Sequence, residues 1–208
     1  MSLIFPLAMA VTDLGESPIL LSTTAAASCW FWVSRQRHLA LAWLFCIGGC
    51  AATMVAFKIA FLACGDLVLN GTVHTPSGHS SMSAIFYGAV ALTVQRATPG
   101  GTRHPLLLVS MGVALALAIG ISRVVVSAHT PQEVVFGLSV GFGWLGVFAL
   151  LLPRDYSLRK PPIIVLSMLG TLYVGLLCIV LTGRHTSAEG ILFHIARLLN
   201  LRWGVCTA

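Results

Sequence analysis

The chain has 208 residues, of which 57% are hydrophobic and only 9% are charged, and its mean hydropathy is +0.93. This composition excludes an ordinary water-soluble globular domain and indicates a membrane protein. The formal net charge is +6, but the basic residues are split between loops and form no stripe, which argues against nucleic-acid binding. The six cysteines lie mostly in apolar runs without a Cys-x-x-Cys pair, so we expect neither a disulfide framework nor a zinc site.

The N-terminal residues 2–11 are apolar but lack the basic flank of a cleavable signal peptide, so we predict a short interfacial or re-entrant segment. Six further apolar runs approach or exceed the roughly 20 residues that a membrane-spanning helix needs. They cover about 17–34, 39–62, 80–96, 105–121, 134–152 and 161–182. The sequence therefore predicts an all-α fold, with six transmembrane helices in one bundle and a single membrane-embedded domain over 1–208.

The two ends of this domain carry weaker signals. Ser17 followed by Pro18 predicts an N-cap and a first helical position for the first span. After the last span, about 184–208, the pattern predicts an amphipathic segment on the outer membrane surface. Membrane lipids are therefore expected partners of this segment.

The distribution of basic residues predicts the orientation of the bundle. The loops after the first, third and fifth spans contain seven cations and the single acid Asp155, whereas the opposite side contains five cations and five acids. By the positive-inside rule, the first set is cytoplasmic. Both termini and the polar stretches between the remaining spans are then expected to face outward, toward the periplasm in a bacterium.

Two of these outward polar stretches each bring a histidine to the start of a helix. In the first, Thr75-Pro76 or Ser77 supplies the N-cap, and His79 follows. The free N–H groups of such a helix start favour an anion. In the second, His129 precedes Thr130-Pro131-Gln132-Glu133, which has the spacing of a capping box.

Lysine and arginine accompany both stretches. Lys58 lies six residues before Cys64, at the outer end of the second span, where a lysine either extends to the interface or turns into the bundle toward an anion. Ser122 and Arg123 open the second stretch. If the two stretches converge, one pocket contains two histidines, a carboxylate, two cations and a helix N-terminus.

Three kinds of chemistry could use the residues of such a pocket. Two histidines and Glu133 suggest zinc, but Lys58 and Arg123 repel a divalent cation, so we expect no metal. A serine hydrolase built on Ser77 or Ser80 lacks the Gly-x-Ser-x-Gly elbow and does not need two cations. An anionic phosphate matches the cations and the N–H groups, and two histidines can divide the nucleophile and acid roles.

These stretches resemble motifs of the type 2 phosphatidic acid phosphatase (PAP2) superfamily of integral membrane lipid phosphatases. The family's Pro-Ser-Gly-His motif matches residues 76–79. Its Ser-Arg, five residues, His, three residues, Asp motif matches Ser122, Arg123 and His129, with Glu133 in the aspartate position. Of its Lys, six residues, Arg-Pro motif only Lys58 is present, because Gly65-Asp66 replaces Arg-Pro.

The resemblance implies a role for each matching residue and no cofactor or metal. His129 would be the nucleophile that forms a phosphohistidine, Glu133 would orient it, and His79 would protonate the leaving oxygen and then activate water. The phosphoryl oxygens would be bound by the remaining set: Lys58, Ser77, Gly78, Ser122 and Arg123.

The resemblance also implies the reaction class, a metal-independent lipid phosphate phosphatase acting at the outer face of a bacterial inner membrane. Expected substrates are lipid phosphates or pyrophosphates, such as phosphatidic acid, phosphatidylglycerophosphate, polyprenyl pyrophosphate or lipid A phosphates. Two alternatives stay open: a phosphotransferase that passes the group to a lipid or sugar hydroxyl, and a non-catalytic protein that binds lipid phosphates.

Overall fold

The structure is a computed structural model that describes residues 4–64, 75–97 and 105–152, together with residue 170 and residues 197–198. Over these ranges the chain is all helical, which confirms the predicted class. The helices are α1 (Ile4–Asp13), α2 (Ser17–Val33), α3 (Arg37–Cys64), α4 (Gly78–Ala97), α5 (Pro105–Val125) and α6 (Pro131–Leu151). Helices α2 to α6 correspond to the first five predicted spans. The sixth, over 161–182, and the C-terminal amphipathic segment lie outside the described ranges.

Four stretches of these helices are long and apolar enough to cross a membrane: Ile4–Val33, Arg37–Leu62, Leu106–Val125 and Pro131–Leu151. The chain is therefore a membrane protein, but six spans are not confirmed. Helix α4 is absent from this set, although its 20 residues would reach about 30 Å.

The position of α4 explains its composition. It packs against α2, α3, α5 and α6, and every residue from Ser80 to Ala89 is buried. A helix that is surrounded by protein does not need an apolar surface toward lipid. Serines are therefore tolerated inside it, where their hydroxyls can bond neighbouring carbonyls, as Ser81 does with Gly78 at 3.1 Å.

The N-terminal segment, predicted to be interfacial or re-entrant, forms α1, which packs against α5. A short turn then leads into α2. The predicted N-cap of α2 is wrong, because Ser17 is already helical and Glu16 occupies the cap position. Pro18 still lies in the first turn, where its missing N–H costs no hydrogen bond.

An aromatic cluster fixes the bundle at the end opposite the predicted motifs. The ring of Trp43 on α3 contacts Phe31, Phe86 and Phe148, with centroid separations of 5.8, 5.9 and 6.0 Å. Its indole N–H donates to Thr93 Oγ1 at 3.2 Å, so the polar atom of this buried ring is satisfied. Because the four rings come from α2, α3, α4 and α6, the cluster joins four helices.

Glycines on α6 set its distance from α4. A Cβ added to Gly137 would lie 2.3 Å from the carbonyl oxygen of Ser77, and one added to Gly141 would lie 2.3 Å from that of Ser81. Backbone atoms cannot yield as a flexible side chain does, so only glycine allows this approach. The close contact brings the start of α4 directly against the start of α6.

Candidate active site

One end of the bundle, called here the site end, contains the C-terminal ends of α3 and α5, the N-terminal ends of α4 and α6, and the α1–α2 turn. All of the sequence-predicted site residues belong to these segments: Lys58 on α3, Ser77, Gly78 and His79 at the start of α4, Ser122 and Arg123 on α5, and His129 and Glu133 at the start of α6.

His129 and Glu133 form a buried pair. The distance from His129 Nδ1 to Glu133 Oε2 is 3.0 Å, and the side chains are only 5% and 6% exposed. Because a carboxylate only accepts hydrogen bonds, Nδ1 must carry the proton in this contact. The other ring nitrogen, Nε2, is then the unprotonated one in the neutral imidazole, and its lone pair can attack an electrophile.

Glu133 also caps its own helix, as the sequence predicted. Its Oε2 accepts the N–H of Thr130 at 3.0 Å, and its own N–H donates to Thr130 Oγ1 at 3.3 Å, which completes the capping box. Glu133 therefore does both things: it caps α6 and it orients His129. The same carboxylate oxygen makes both contacts, so it fixes the histidine relative to the start of α6.

The same glutamate ties the two polar stretches together. Its Oε1 accepts the N–H of Thr75 at 2.9 Å, and its backbone carbonyl accepts the N–H of Ser77 at 3.1 Å. The first bond joins residues that are 58 positions apart in the sequence, and the second joins residues that are 56 positions apart. The convergence of the two stretches, which was only a supposition from the sequence, is thus present in the structure, and Glu133 lies at the junction.

The start of α4 provides donors to the same end. Ser77 occupies the position before the first helical residue and accepts hydrogen bonds from Ser80, at 3.4 Å to the N–H and 2.9 Å to the hydroxyl. Of the two predicted caps, Ser77 is therefore the one present. A Cβ added to Gly78 would lie 3.8 Å from Lys58 Cε, so the half-buried lysine chain extends over this first turn. A cation beside a helix N-terminus favours a bound anion.

The corner between α5 and α6 fixes the separation of Arg123 and His129. The Arg123 carbonyl accepts the N–H groups of Ala128 at 3.0 Å and His129 at 3.3 Å, and Ser127 donates to Val124 at 3.0 Å. Ser127 has a φ of 58°, in the left-handed region. This is a Schellman motif, which ends a helix with a defined change of direction.

The surroundings of His129 favour its neutral form. Burial lowers the pKa of His129 from its ordinary value of 6.5, and the positive charges of Arg123 and Lys58 act in the same direction. The hydrogen bond and charge of Glu133 raise this pKa, but the net direction is downward. A neutral imidazole at pH 7 retains the lone pair that a nucleophile needs.

Ser122 is placed differently from the other predicted phosphate ligands. Its hydroxyl donates to the carbonyl of Ile119 at 2.7 Å and lies 2.7 Å from the hydroxyl of Thr12 on α1. The single hydroxyl proton is thus used within the bundle. In the structure Ser122 anchors α1 to α5, and its contact with a phosphate stays a prediction.

Sequence reasoning missed Glu16 as a site residue. Its Oε1 lies 3.4 Å from Nε2 of His79, and its side chain is 8% exposed. The sequence does contain a signal for it: Glu16 is an acid directly before the helix that begins at Ser17-Pro18, on the same predicted side of the membrane as both motifs. In the sequence analysis this acid was counted only when the orientation of the bundle was predicted. No group of three or more His, Cys, Asp or Glu within the described ranges is arranged to bind a metal ion.

The site end thus defines a helical membrane protein in which two histidines lie beside cations and a helix N-terminus that favour an anion. The sequence model of the PAP2 superfamily matches residues 60–157, which include both histidines, Arg123 and Glu133 but not Lys58 or Glu16. The chain belongs to the PAP2 superfamily. No solved structure matches it significantly.

Three relatives extend this result. An uncharacterized 22.5 kDa protein in the cps region of Klebsiella pneumoniae is 30% identical over 145 residues, 69% of this chain and 68% of that protein. Phosphatidylglycerophosphatase B of Bacillus subtilis is 31% identical over 94 residues, 45% of each chain. Glucose-6-phosphatase 3 of Rattus norvegicus is 36% identical over 76 residues, 34% of this chain and 22% of that enzyme. The family and these phosphatases support a phosphatase activity.

Proposed function

We propose that the protein hydrolyses a lipid phosphate or lipid pyrophosphate through a covalent intermediate on His129. The observation that supports this most directly is the buried pair of His129 and Glu133, at 3.0 Å, on the same end of the bundle as Lys58 and the α4 N-terminus. A buried neutral imidazole beside two cations suits attack on an anionic phosphorus centre.

In the first step, Nε2 of His129 attacks phosphorus while the bond from phosphorus to the leaving oxygen breaks. The electron pair of that bond goes to the leaving oxygen, which takes a proton from His79. Glu133 accepts the Nδ1–H of His129 and stabilises its positive charge. Lys58, Arg123 and the N–H groups at the start of α4 neutralise the phosphoryl oxygens, as phosphoryl transfer requires.

In the second step, water attacks the phosphohistidine. His79, now neutral, takes a proton from the water, the bond between phosphorus and Nε2 breaks, and His129 returns to its neutral state. Inorganic phosphate leaves. Each step transfers a proton and a phosphoryl group without any change of oxidation state.

A lipid substrate is supported by the relation to a phosphatidylglycerophosphatase and by the position of the site at one end of membrane-spanning helices. The asymmetry of basic residues supports an orientation in which that end lies at the outer face, the periplasmic side of a bacterial inner membrane. The name of glucose-6-phosphatase 3 indicates a soluble sugar phosphate, so such a substrate belongs in any test.

The test is phosphate release by the purified protein from lipid phosphates, lipid pyrophosphates and glucose 6-phosphate, with His129→Ala as the blank and EDTA present. We expect release from a lipid class, absent in the variant. Substrate consumption that exceeds phosphate release, with a phosphorylated acceptor, would indicate transfer. Binding without turnover across the whole panel would contradict the proposal, and so would EDTA inhibition that zinc reverses.

A further inference from the structure

Glu16 places a second carboxylate beside a histidine at the site end. The 3.4 Å separation of Glu16 Oε1 and His79 Nε2 is within ion-pair distance. Nε2 is buried and has no hydrogen bond of good geometry among the described residues, so a small rotation of either side chain would complete one. Hydrogen bonds of this kind often shorten only when substrate binds.

The turn that presents Glu16 is firmly attached to the helices that form the site. The hydroxyl of Tyr87 on α4 donates to the carbonyl of Leu14 at 2.7 Å. A Cβ added to Gly15 would lie 2.7 Å from Ile119 Cγ2 and 2.9 Å from Ser83 Oγ, so the turn lies directly on α4 and α5. The contact between Thr12 and Ser122 described above anchors α1 just before the turn. The position of the Glu16 carboxylate is therefore fixed by the packing of α1 and its turn on α4 and α5.

The position of Glu16 before α2 suggests that its side chain caps this helix, but it does not. It is the N-cap residue of α2, yet no side-chain hydrogen bond caps that helix. Glu133, by contrast, contributes to a complete capping box. Burial of an acidic side chain costs free energy, and Glu16 does not recover that cost by capping its helix. The imidazole of His79, which can donate a hydrogen bond, helps to offset the cost.

We propose that Glu16 is a positioning residue that holds His79 in the orientation of a general acid. The inference rests on the proposed function and assigns a role to a residue outside the family match. With Nε2 directed at Glu16, Nδ1 of His79 is the nitrogen that faces the leaving oxygen. The bond from phosphorus to that oxygen breaks, its electron pair receives the Nδ1 proton, and the negative charge of Glu16 stays constant.

The charges around His79 explain why a carboxylate is useful there. The chain of Lys58 lies over the neighbouring Gly78, and the first turn of a helix carries a partial positive charge. The Glu16 carboxylate places a negative charge beside Nε2 of the ring and leaves Nδ1 for the leaving oxygen.

The experiment compares two phosphate esters that differ in their need for an acid. An aryl phosphate such as p-nitrophenyl phosphate releases a stable anion, whereas an alkyl phosphate requires a proton on its leaving oxygen. We expect Glu16→Gln to lower kcat/KM for the alkyl ester by about tenfold or more and for the aryl ester by less than about threefold. The ratio kcat/KM is used because it reports the steps through departure of the leaving group.

Three variants separate positioning from a general structural effect. Asp13→Asn removes a carboxylate from the end of α1, just before the turn, and should change the activity on both esters by the same factor. In a His79→Ala background, Glu16→Gln should cause no further loss with the alkyl ester, since Glu16 acts through His79. Glu16→Asp, which keeps the charge, should restore part of the alkyl activity.

The outcomes distinguish the inference from the function on which it rests. Equal losses on both esters, or a full additional loss in the His79→Ala background, would overturn the role of Glu16 and leave the phosphatase proposal intact. A wild-type protein that cleaves neither ester nor any lipid phosphate would overturn the proposed function, and the inference with it.

Discussion

The two histidines of the site are each near a glutamate, but the two pairs are built differently. Glu133 is four residues from His129 and also caps α6 and binds the N–H of Thr75. Glu16 is 63 positions from His79, caps nothing with its side chain, and reaches the histidine from the α1–α2 turn. The first pair is local and tightly bonded, whereas the second depends on tertiary packing.

This difference matches two chemical tasks. A nucleophile needs a fixed tautomer and a neutral ring, and the Glu133 pair supplies the first while burial, Arg123 and Lys58 supply the second. An acid has to be charged before it reacts and neutral afterwards. The Glu16 contact with His79, at 3.4 Å, is longer than the Glu133 contact with His129, at 3.0 Å, and a looser contact suits a group that must release a proton and take it back.

The largest expected effect comes from removing the nucleophile. His129→Ala should lower turnover by about 10⁴-fold or more, because in the proposed mechanism this side chain forms the covalent intermediate. The measurement is phosphate release from the best substrate of the panel. His38→Ala, at the other end of the bundle, is the matched control and should retain full activity. Appreciable turnover by His129→Ala would remove this residue as nucleophile.

Removal of the charge on Glu133 should have the next largest effect. We expect Glu133→Gln to lower kcat by about 100-fold or more, because the amide cannot fix the tautomer and stabilise an imidazolium equally well. Thr130→Ala is the control, since it removes the other half of the capping box at a cost of about 1 kcal/mol in stability. If both variants lose the same activity, Glu133 acts as a cap alone.

Alanine substitutions at two glycines should each disturb a different part of the site. One should separate the two motifs that Glu133 joins, and the other should disturb the contact of Glu16 with His79. Gly137→Ala pushes on the Ser77 carbonyl and so separates the two motifs, with a stability loss of about 1–3 kcal/mol and a similar loss of kcat/KM for aryl and alkyl esters. Gly15→Ala shifts the α1–α2 turn and should affect the alkyl ester more. For each variant, the ratio of kcat/KM for the alkyl ester to kcat/KM for the aryl ester measures the effect on activity. The thermal inactivation temperature in detergent measures the effect on stability. The reverse pattern would contradict the assignment of the turn to His79.

The pH dependence of kcat/KM should report His129. Because burial and the nearby cations lower the pKa of His129, its protonation should reduce activity only below about pH 6.5. Glu133 raises this pKa, so Glu133→Gln should move the acid limb to still lower pH. The wild type and Glu133→Gln are compared on the same substrate, because ionisation of the substrate then affects both pH profiles equally. A shift of the limb to higher pH would contradict this account of the pair.

The smallest effect is expected at the α5–α6 corner. Ser127 has a positive φ, which is unfavourable for a residue with a Cβ, so Ser127→Gly should stabilise the protein by up to about 1 kcal/mol. Activity should be retained, because the hydrogen bonds of the corner are made by backbone atoms. Thermal inactivation checks the first expectation and kcat/KM the second. A loss of activity would show that the corner depends on the serine side chain.

The sequence was informative wherever spacing alone decides the geometry. Residues four apart at a helix start face each other, so the contact of His129 with Glu133 and the capping box of Thr130 could be predicted. The helical class and the approximate limits of five helices followed from the lengths of the apolar runs. The convergence of the two motifs was a supposition, since it depends on the Gly137 contact between α4 and α6.

The remaining features depend on how distant segments pack. Nothing local to Glu16 indicates His79, because their contact requires α1 and its turn to dock on α4 and α5. For the same reason Ser122, expected to bind phosphate, bonds Thr12. The predicted span over 80–96 forms a buried helix of lower hydropathy, since its surroundings are protein and not lipid.

The central claim is that His129 becomes phosphorylated while His79 moves the protons. It is tested most directly by rapid quenching after mixing with ³²P-labelled aryl phosphate, followed by measurement of protein-bound label that is stable to base and labile to acid. We predict such label in the wild type, more of it in His79→Ala, where water is no longer activated, and none in His129→Ala. Label in His129→Ala, or steady phosphate release without label in any variant, would contradict the account.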